Sequence, residues 1–488
     1  MSNIKKDMLS GVWFTAIAKY SGIIVQILVS AILSRLLTPD DFGVIALVTV
    51  TIGFFGIFSN IGLGTAVVQN RTLTKHDLDH IYSFTVYLGL FLGILFFCSS
   101  WWIANYYDNS NLVLLCQIMS TNLLISSITT VPTSLLSKNK RFKYIAYWTL
   151  IIQIISAIIS ISMAYKGCGY FSLLVSPILG GLVTFLINYR QYPLTFYLKI
   201  DFCSIRKVAS YSFYQFLFST SNYFSRNLDN LIIGKSIGLD SLGYYQKSYQ
   251  LMTLPVSNLT HVVTPVLHPI FAEYQNDLKF ICDKYTKVVH LLAYAGFPVS
   301  VILFFCAEEL ITIVYGSQWA PSIPVFEILS MTVWCQVTGS SIGAVFQVTG
   351  QTKSLFYKGL ANTKTTICGF IVAALYFKTI ESMAWAWLIT SYINNYTWWY
   401  VYRFLFKTST IVLVRAMLPA FLWSIGLAAI LYGIESINLN VASFPNLIIK
   451  GTISAIYIII MLHISKILAF HIIYNNIKST IKRTIFNK

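Results

Sequence analysis

Between Ser225 and Gly238 the chain reads SRNLDNLIIGKSIG, so Arg226, Asp229 and Lys235 sit in a segment otherwise as apolar as a buried helix. Arg226 and Asp229 stand at i and i+3, one face of a helix, where a cation and a carboxylate can pair. Lys19, Arg35, Lys247, Lys364 and Lys466 also fall inside apolar runs. At the centre of a membrane helix a cation costs about 2.5–3.5 kcal/mol on insertion scales, so each needs a wet cavity, a partner or a route to the interface. Lys19 lies roughly 12 Å into its run at 1.5 Å per residue, whereas Lys466 is close enough to an inner end to snorkel. A group of cations with few anions suits an anionic ligand, and pyrophosphate is the obvious anion of a membrane substrate. The candidate ligand cations are therefore Lys19, Arg35, Arg226, Lys247 and Lys364. Asp229 with Asn230, and Asn362 with Thr363 beside Lys364, are candidates for receiving a coupling cation or proton.

Other chemistry-bearing residues read as structural. His76 and His80 have the i,i+4 spacing of metal ligands but fall in a loop with Asp77 and Asp79, and no metal is expected. His261 and His268 are expected to pack between helices, and Glu308 and Glu309 to lie at the membrane interface. Asp40 and Asp41 occupy a turn, TPDD, too short to hold a sugar, and read as a helix start rather than as catalytic acids. No nucleotide-binding G-x-x-x-x-G-K-[ST] motif occurs, and the eight cysteines form no C-x-x-C pair. An enzyme is not expected, nor is a cofactor beyond a coupling ion.

The elements that position these residues follow from composition. The 488 residues are 56% hydrophobic and 10% charged, where a soluble domain carries roughly 25% charged residues. Runs long enough to cross a bilayer, about 20 residues, recur fourteen times, near 11–37, 42–66, 81–104, 111–136, 145–165, 170–187, 208–234, 243–270, 288–314, 323–349, 355–376, 382–402, 415–433 and 447–472. With both termini cytoplasmic, 24 of the 34 basic residues fall at inner loops and their flanks, against Lys166, Lys235, Lys378 and Lys450 outside. The positive-inside rule fits all fourteen spans in one register, so the net charge of +17 reflects topology, not nucleic acid. Residues 271–287 look like an amphipathic surface helix, and clusters such as YTWWYVYRF like interfacial belts.

An offset of 200 residues exposes a repeat. LSRLLTPDDFG (33–43) aligns with IGKSIGLDSLG (233–243), matching Arg35 to Lys235, Asp40 to Asp240 and Gly43 to Gly243. Both close an odd-numbered span through a short outer turn, which makes a parallel repeat of six spans. The expected fold is an all-α polytopic membrane protein with about fourteen transmembrane helices around a central cavity. Two pseudo-symmetric six-helix lobes, 1–190 and 208–405, are joined by a cytoplasmic linker at 191–207. A two-helix extension with a basic cytoplasmic tail, 406–488, completes it.

At SRLLTPDDFGVIAL, SRNLDNLIIGKSIGLDSLGYYQKSYQL and AEELITIVYGSQWAPSIPVFEIL the chain resembles the Wzx-type flippases. These form the polysaccharide transporter family within the multidrug/oligosaccharidyl-lipid/polysaccharide exporter superfamily, and the middle stretch looks like the subgroup named for colanic acid export. The resemblance implies a multi-pass protein of the bacterial inner membrane. It would move undecaprenyl-pyrophosphate-linked oligosaccharide between leaflets for O-antigen, capsule or exopolysaccharide synthesis. It also implies a cationic cavity for the pyrophosphate, an H+ or Na+ gradient as driving force, and polymerase and chain-length regulator proteins as partners. A monomer is expected. Arg226, Asp229 and Asn230 carry over from the matched motif, while Lys19, Lys247 and Lys364 are placed by depth. The alternatives are a multidrug exporter of the same superfamily, which would prefer acidic cavity residues, and a polysaccharide polymerase or ligase, which would need a large outer loop.

Overall fold

The computed structural model describes residues 2–60, 63–70, 72–275, 277–437, 442–465 and 467, with side chains for all of these but 2–18, 60, 207–219, 221–222, 261–270, 272–273 and 352. Lys466 and the side chains of His261 and His268 lie outside the described residues. No strand occurs among the described residues. The helices are α1 (Ser2–Leu36), α2 (Pro39–Asn60), α3 (Leu63–Gln69), α4 (Lys75–Tyr106), α5 (Asn111–Lys138), α6 (Phe142–Tyr165), α7 (Gly181–Gln191), α8 (Phe202–Ser236) and α9 (Leu239–Glu273). They continue as α10 (Leu278–Phe305), α11 (Ala307–Val314), α12 (Ser322–Ser330), α13 (Val333–Gly339), α14 (Ile342–Val348), α15 (Thr352–Val372), α16 (Ile380–Asn394), α17 (Tyr396–Tyr400), α18 (Ile411–Ser436) and α19 (Ser443–Ile464).

The apolar runs fall mainly on helix among the described residues. Among the described residues ten helices are long and apolar enough to cross a membrane, or eleven if the pair bent by 41° between Ser330 and Val333 counts as one span. The protein is a multi-pass membrane protein. At 1.5 Å per residue, α8 and α9, 35 residues each, reach roughly 50 Å, longer than a hydrocarbon core. Large apolar side chains such as Leu28, Phe91, Trp102 and Ile158 point outward, the arrangement favoured when the surroundings are lipid.

The chain divides into two compact units. The first comprises residues 1–246, 314–316 and 370–383, and the second residues 247–313, 317–369 and 384–488. In the first, α4 and α3 both pack on α5 through small residues. A Cβ on Gly89 would lie 2.7 Å from Cβ of Ser127, and one on Gly64 2.9 Å from Oγ of Ser134, so the backbones approach as small-residue membrane interfaces allow. In the second, α18 packs along α10 and α19 touches both. Tyr285, Phe346, Tyr402 and Met461 are buried in that core. The aromatic stretch at 396–404 divides accordingly: Trp398 and Tyr402 are buried, while Trp399 and Phe404 face outward. The expected surface helix at 271–287 is not a separate element. α9 continues to Glu273 and α10 starts at Leu278, capped by Asp277, so the amphipathic pattern belongs to the ends of two long helices meeting at a turn.

The repeat has a structural counterpart. α1 ends at Leu36 and α2 begins at Pro39, while α8 ends at Ser236 and α9 begins at Leu239. Thr38 and Asp41 form a reciprocal cap: the Thr38 N–H and hydroxyl donate to Asp41 Oδ2, and the Asp41 N–H donates to Thr38 Oγ1. The aspartates of that turn thus start a helix. The two junctions meet. A Cβ on Gly43 would fall 1.9 Å from the Leu239 carbonyl oxygen, and one on Gly243 2.1 Å from the Pro39 carbonyl oxygen. Each glycine therefore packs against the start of the other's helix, the self-complementary contact of a local two-fold axis.

Candidate functional site

Asp229 is built into the contact between α8 and α9. Its side chain is 1% exposed. Oδ2 accepts a hydrogen bond from the Tyr245 hydroxyl at 2.9 Å, and Oδ1 accepts the Asn230 N–H at 2.8 Å. Asn230 is buried as well, and its Oδ1 has no hydrogen-bond partner among the described residues. Arg226 is exposed and pairs with no carboxylate among the described residues. The expected Arg226–Asp229 pair is thus absent: i,i+3 spacing allows it, but Tyr245 competes for the carboxylate from the neighbouring helix.

The other cations separate by burial. Lys19 on α1, Arg35 at the end of α1 and Lys364 on α15 are exposed. Arg35 runs beside Gly316, where an added Cβ would lie 3.6 Å from its Cγ. Lys247 differs: it is 2% exposed, with Nζ 5.6 Å from the ring centre of Trp319, within reach of a cation–π contact. Next to Lys364, Thr363 Oγ1 donates to the Gly359 carbonyl, whereas Asn362 Oδ1 is buried without a partner among the described residues. Lys19, Arg35 and Arg226 belong to the first unit, and Lys247 and Lys364 to the second.

Polar contacts tie the first unit at both ends of α8. At the end that adjoins α9, Lys235 Nζ lies 2.8 Å from Asp108 Oδ2 and 5.2 Å from the ring centre of Tyr106. The Tyr107 hydroxyl donates to the Leu231 carbonyl at 3.3 Å. At the other end, residues 192–201 are fastened to the first turns of α4. Thr195 N–H donates to Asp79, Tyr197 N–H to Ser83 and Asp201 N–H to His80 Nδ1. Since His80 Nδ1 accepts, its Nε2 carries the proton toward His76 Nε2, 3.1 Å away. The two histidines thus lie on a helix capped by Thr74, not in a loop. No group that could hold a metal ion occurs among the described residues. Asp201 caps α8, and the Cys203 N–H and then the Ser204 hydroxyl hold its carboxyl below the usual carboxylate range.

A buried ion pair in the second unit escaped the sequence. Glu309, expected at an interface, and Lys450, counted as an outer-loop cation, are 5% and 3% exposed, with Nζ 2.6 Å from Oε1. Lys450 also donates to the Phe305 carbonyl, and the Asn446 amide to Glu309 Oε1. Oppositely charged residues in two separate apolar runs, with Asn446 one turn before Lys450, were the available signal.

The family model described as "Polysaccharide biosynthesis protein" matches residues 32–324. The teichuronic acid biosynthesis protein TuaB of Bacillus subtilis is 24% identical over 446 residues, 89% of this chain and 90% of that one. The lipopolysaccharide biosynthesis protein WzxC of Escherichia coli is 22% identical over 349 residues, 70% of each. The succinoglycan biosynthesis transport protein ExoT of Rhizobium meliloti is 21% identical over 396 residues, 80% of each. Among solved structures, the lipid II flippase MurJ in an inward closed conformation superposes with a TM-score of 0.77 at 16% identity, covering 92% of this chain and 98% of that one. An inward-facing multidrug-resistance MATE transporter gives a TM-score of 0.62 at 12% identity, covering 84% and 96%.

Proposed function

Because the chain belongs to the polysaccharide biosynthesis protein family, we propose that it is a flippase for undecaprenyl-pyrophosphate-linked oligosaccharide repeat units. It carries them from the inner to the outer leaflet of the bacterial cytoplasmic membrane for O-antigen, capsule or exopolysaccharide assembly. One observation carries the reading. Lys19 and Lys364 are exposed on helices long and apolar enough to cross a membrane, Arg226 is exposed on the 35-residue α8, and none has a side-chain partner among the described residues. Uncompensated charges at membrane depth are expensive, and a bound pyrophosphate would offset that cost. An exporter of cationic drugs would need the opposite sign.

The cycle needs no bond made or broken by the protein, only alternate exposure of the headgroup as two six-helix lobes rock. Parting of the Gly43–Gly243 junction would open the outer side. Asp229 with Asn230, and Asn362 with Thr363, are the groups proposed to take up H+ or Na+ between substrates. In this reading both termini are cytoplasmic.

The test is complementation of a deletion strain. Arg226→Ala and Lys19→Ala should each reduce surface glycan about 10-fold or more, the scale of losing a charge-assisted hydrogen bond, with the protein still in the membrane. Lys166→Ala, at an exposed position beyond α6, should display normally. Full display by Arg226→Ala would make the cations structural and remove the basis for a pyrophosphate site.

A further inference from the structure

The first unit contains a cavity of about 600 Å3 between α2, α5 and the irregular segment that precedes α7. None of the side chains lining it is ionisable; they are hydroxyls, one amide, the Met119 thioether, glycines and a few aliphatic groups. Thr49 is ten residues from the start of α2, about 15 Å along the helix, so the cavity begins at mid-helix and extends to Ser59 near the end of α2. Thr49 is exposed although Val48 and Val50 on either side are buried. An apolar span thus turns a polar residue toward the cavity.

Hydrogen-bonding capacity there is unspent. The side chains of Thr49, Asn122 and Ser176 make no hydrogen bond among the described residues, whereas Ser126 and Thr130 donate to carbonyls of their own helix and retain acceptor lone pairs. Opposite α2 the chain leaves regular helix twice, in a 3-10 turn at Gly169–Leu174 and a π turn at Ser176–Gly180. Irregular backbone at membrane depth is tolerated where protein or a wet cavity covers it, and π turns recur at functional sites. Gly56 lines the cavity with open space where a Cβ would be. The volume falls within the range of small-molecule sites, about 300–1,000 Å3.

We propose that this cavity binds an uncharged polyhydroxylated ligand, one or two neutral sugar units. Such a ligand both donates and accepts along its edges, as the amide and hydroxyls require, and lays its C–H faces on Ile52, Leu123 and Leu173. A phosphate would find no cation, a metal ion no carboxylate, and an acyl chain would leave the polar groups unpaired. The inference rests on the flippase reading, and separates the site for the sugar from the cations proposed for the pyrophosphate.

The full chain carrying Thr49→Cys is purified in nanodiscs and alkylated with N-ethylmaleimide, and modification at position 49 is read by peptide mass spectrometry. The exposed native Cys203 serves as the internal control. Maltose, lactose and N,N′-diacetylchitobiose are added separately, with inorganic pyrophosphate in parallel. At least one disaccharide should slow alkylation at 49 about fivefold when several times above its dissociation constant, with Cys203 unaffected. Asn122→Ala should raise the dissociation constant read from that protection about tenfold, so that little protection remains at the same sugar concentration, and Gly56→Phe should occupy the cavity and abolish the sugar dependence. Protection by pyrophosphate to the same degree, by no disaccharide, or undiminished in Asn122→Ala overturns the assignment. Glycan display by the wild-type chain is scored separately. Display without protection removes the sugar site and leaves the flippase reading standing, whereas protection without display does the reverse.

Discussion

At the scale of single residues, Asp229 shows what spacing can and cannot decide. The sequence marks it as an anion on one face with Arg226, and i,i+3 geometry permits the pair. Whether a pair forms depends on competitors from other helices, and Tyr245, sixteen residues away, supplies the hydroxyl that Asp229 accepts. Two side chains read as one unit therefore have separable roles. Tyr245→Phe removes a donor from a buried carboxylate, which costs about 1–3 kcal/mol. Thermal unfolding in detergent should move to lower temperature. Arg226→Ala removes an exposed charge and should leave unfolding unchanged while glycan display falls. The two readouts moving together in both variants would restore Arg226 and Asp229 as one structural unit.

At the scale of elements, helix positions were legible because about 20 consecutive apolar residues leave a chain little choice in a bilayer. Partners were less so. Lys450 reads as a loop cation by its place near the start of the last run, yet α19 begins at Ser443 and draws it into the protein. There it meets Glu309 from α11, with the Asn446 amide on the same oxygen. This pair fixes the last helix to the body of the second unit. Removing one member strands the other, at about 3–5 kcal/mol, while replacing both with apolar residues of similar volume is often neutral. Lys450→Met and Glu309→Leu should each lower the yield of folded protein, and the double variant should recover most of it. Single variants that fold as well as wild type would mean that α19 is held by apolar packing alone. The linker clasp was hidden for a similar reason. His76 and His80 suggest a metal by spacing, but Asp201, 121 residues beyond His80 in sequence, decides which ring nitrogen of His80 accepts.

At the scale of the whole molecule, the offset of 200 residues was legible in a handful of matched positions, and its mechanical meaning was not. Only the structure brings Gly43 and Gly243 together. No side chain fits at either position, because the atom it would strike is a backbone carbonyl oxygen. The neighbouring Lys235–Asp108 pair is exposed, 39% and 80% at the side chains, and such pairs contribute about 0–1 kcal/mol. In the proposed alternating-access cycle, outward opening would break both contacts, and they should differ in effect. Asp108→Asn should change the balance of outer-closed and outer-open forms about fivefold at most. Gly43→Ala, which the closed junction cannot accommodate without backbone movement, should favour the open form far more. Spin labels at Thr38→Cys and Ser236→Cys, both exposed, in a chain whose unburied Cys98, Cys168, Cys203 and Cys368 are changed to serine, would report the separation by pulsed electron resonance. A single short distance in that background should gain a longer component in Gly43→Ala and barely change in Asp108→Asn. If Gly43→Ala folds and keeps the short distance alone, the glycine contact does not gate the outer side, and opening must occur elsewhere in the bundle.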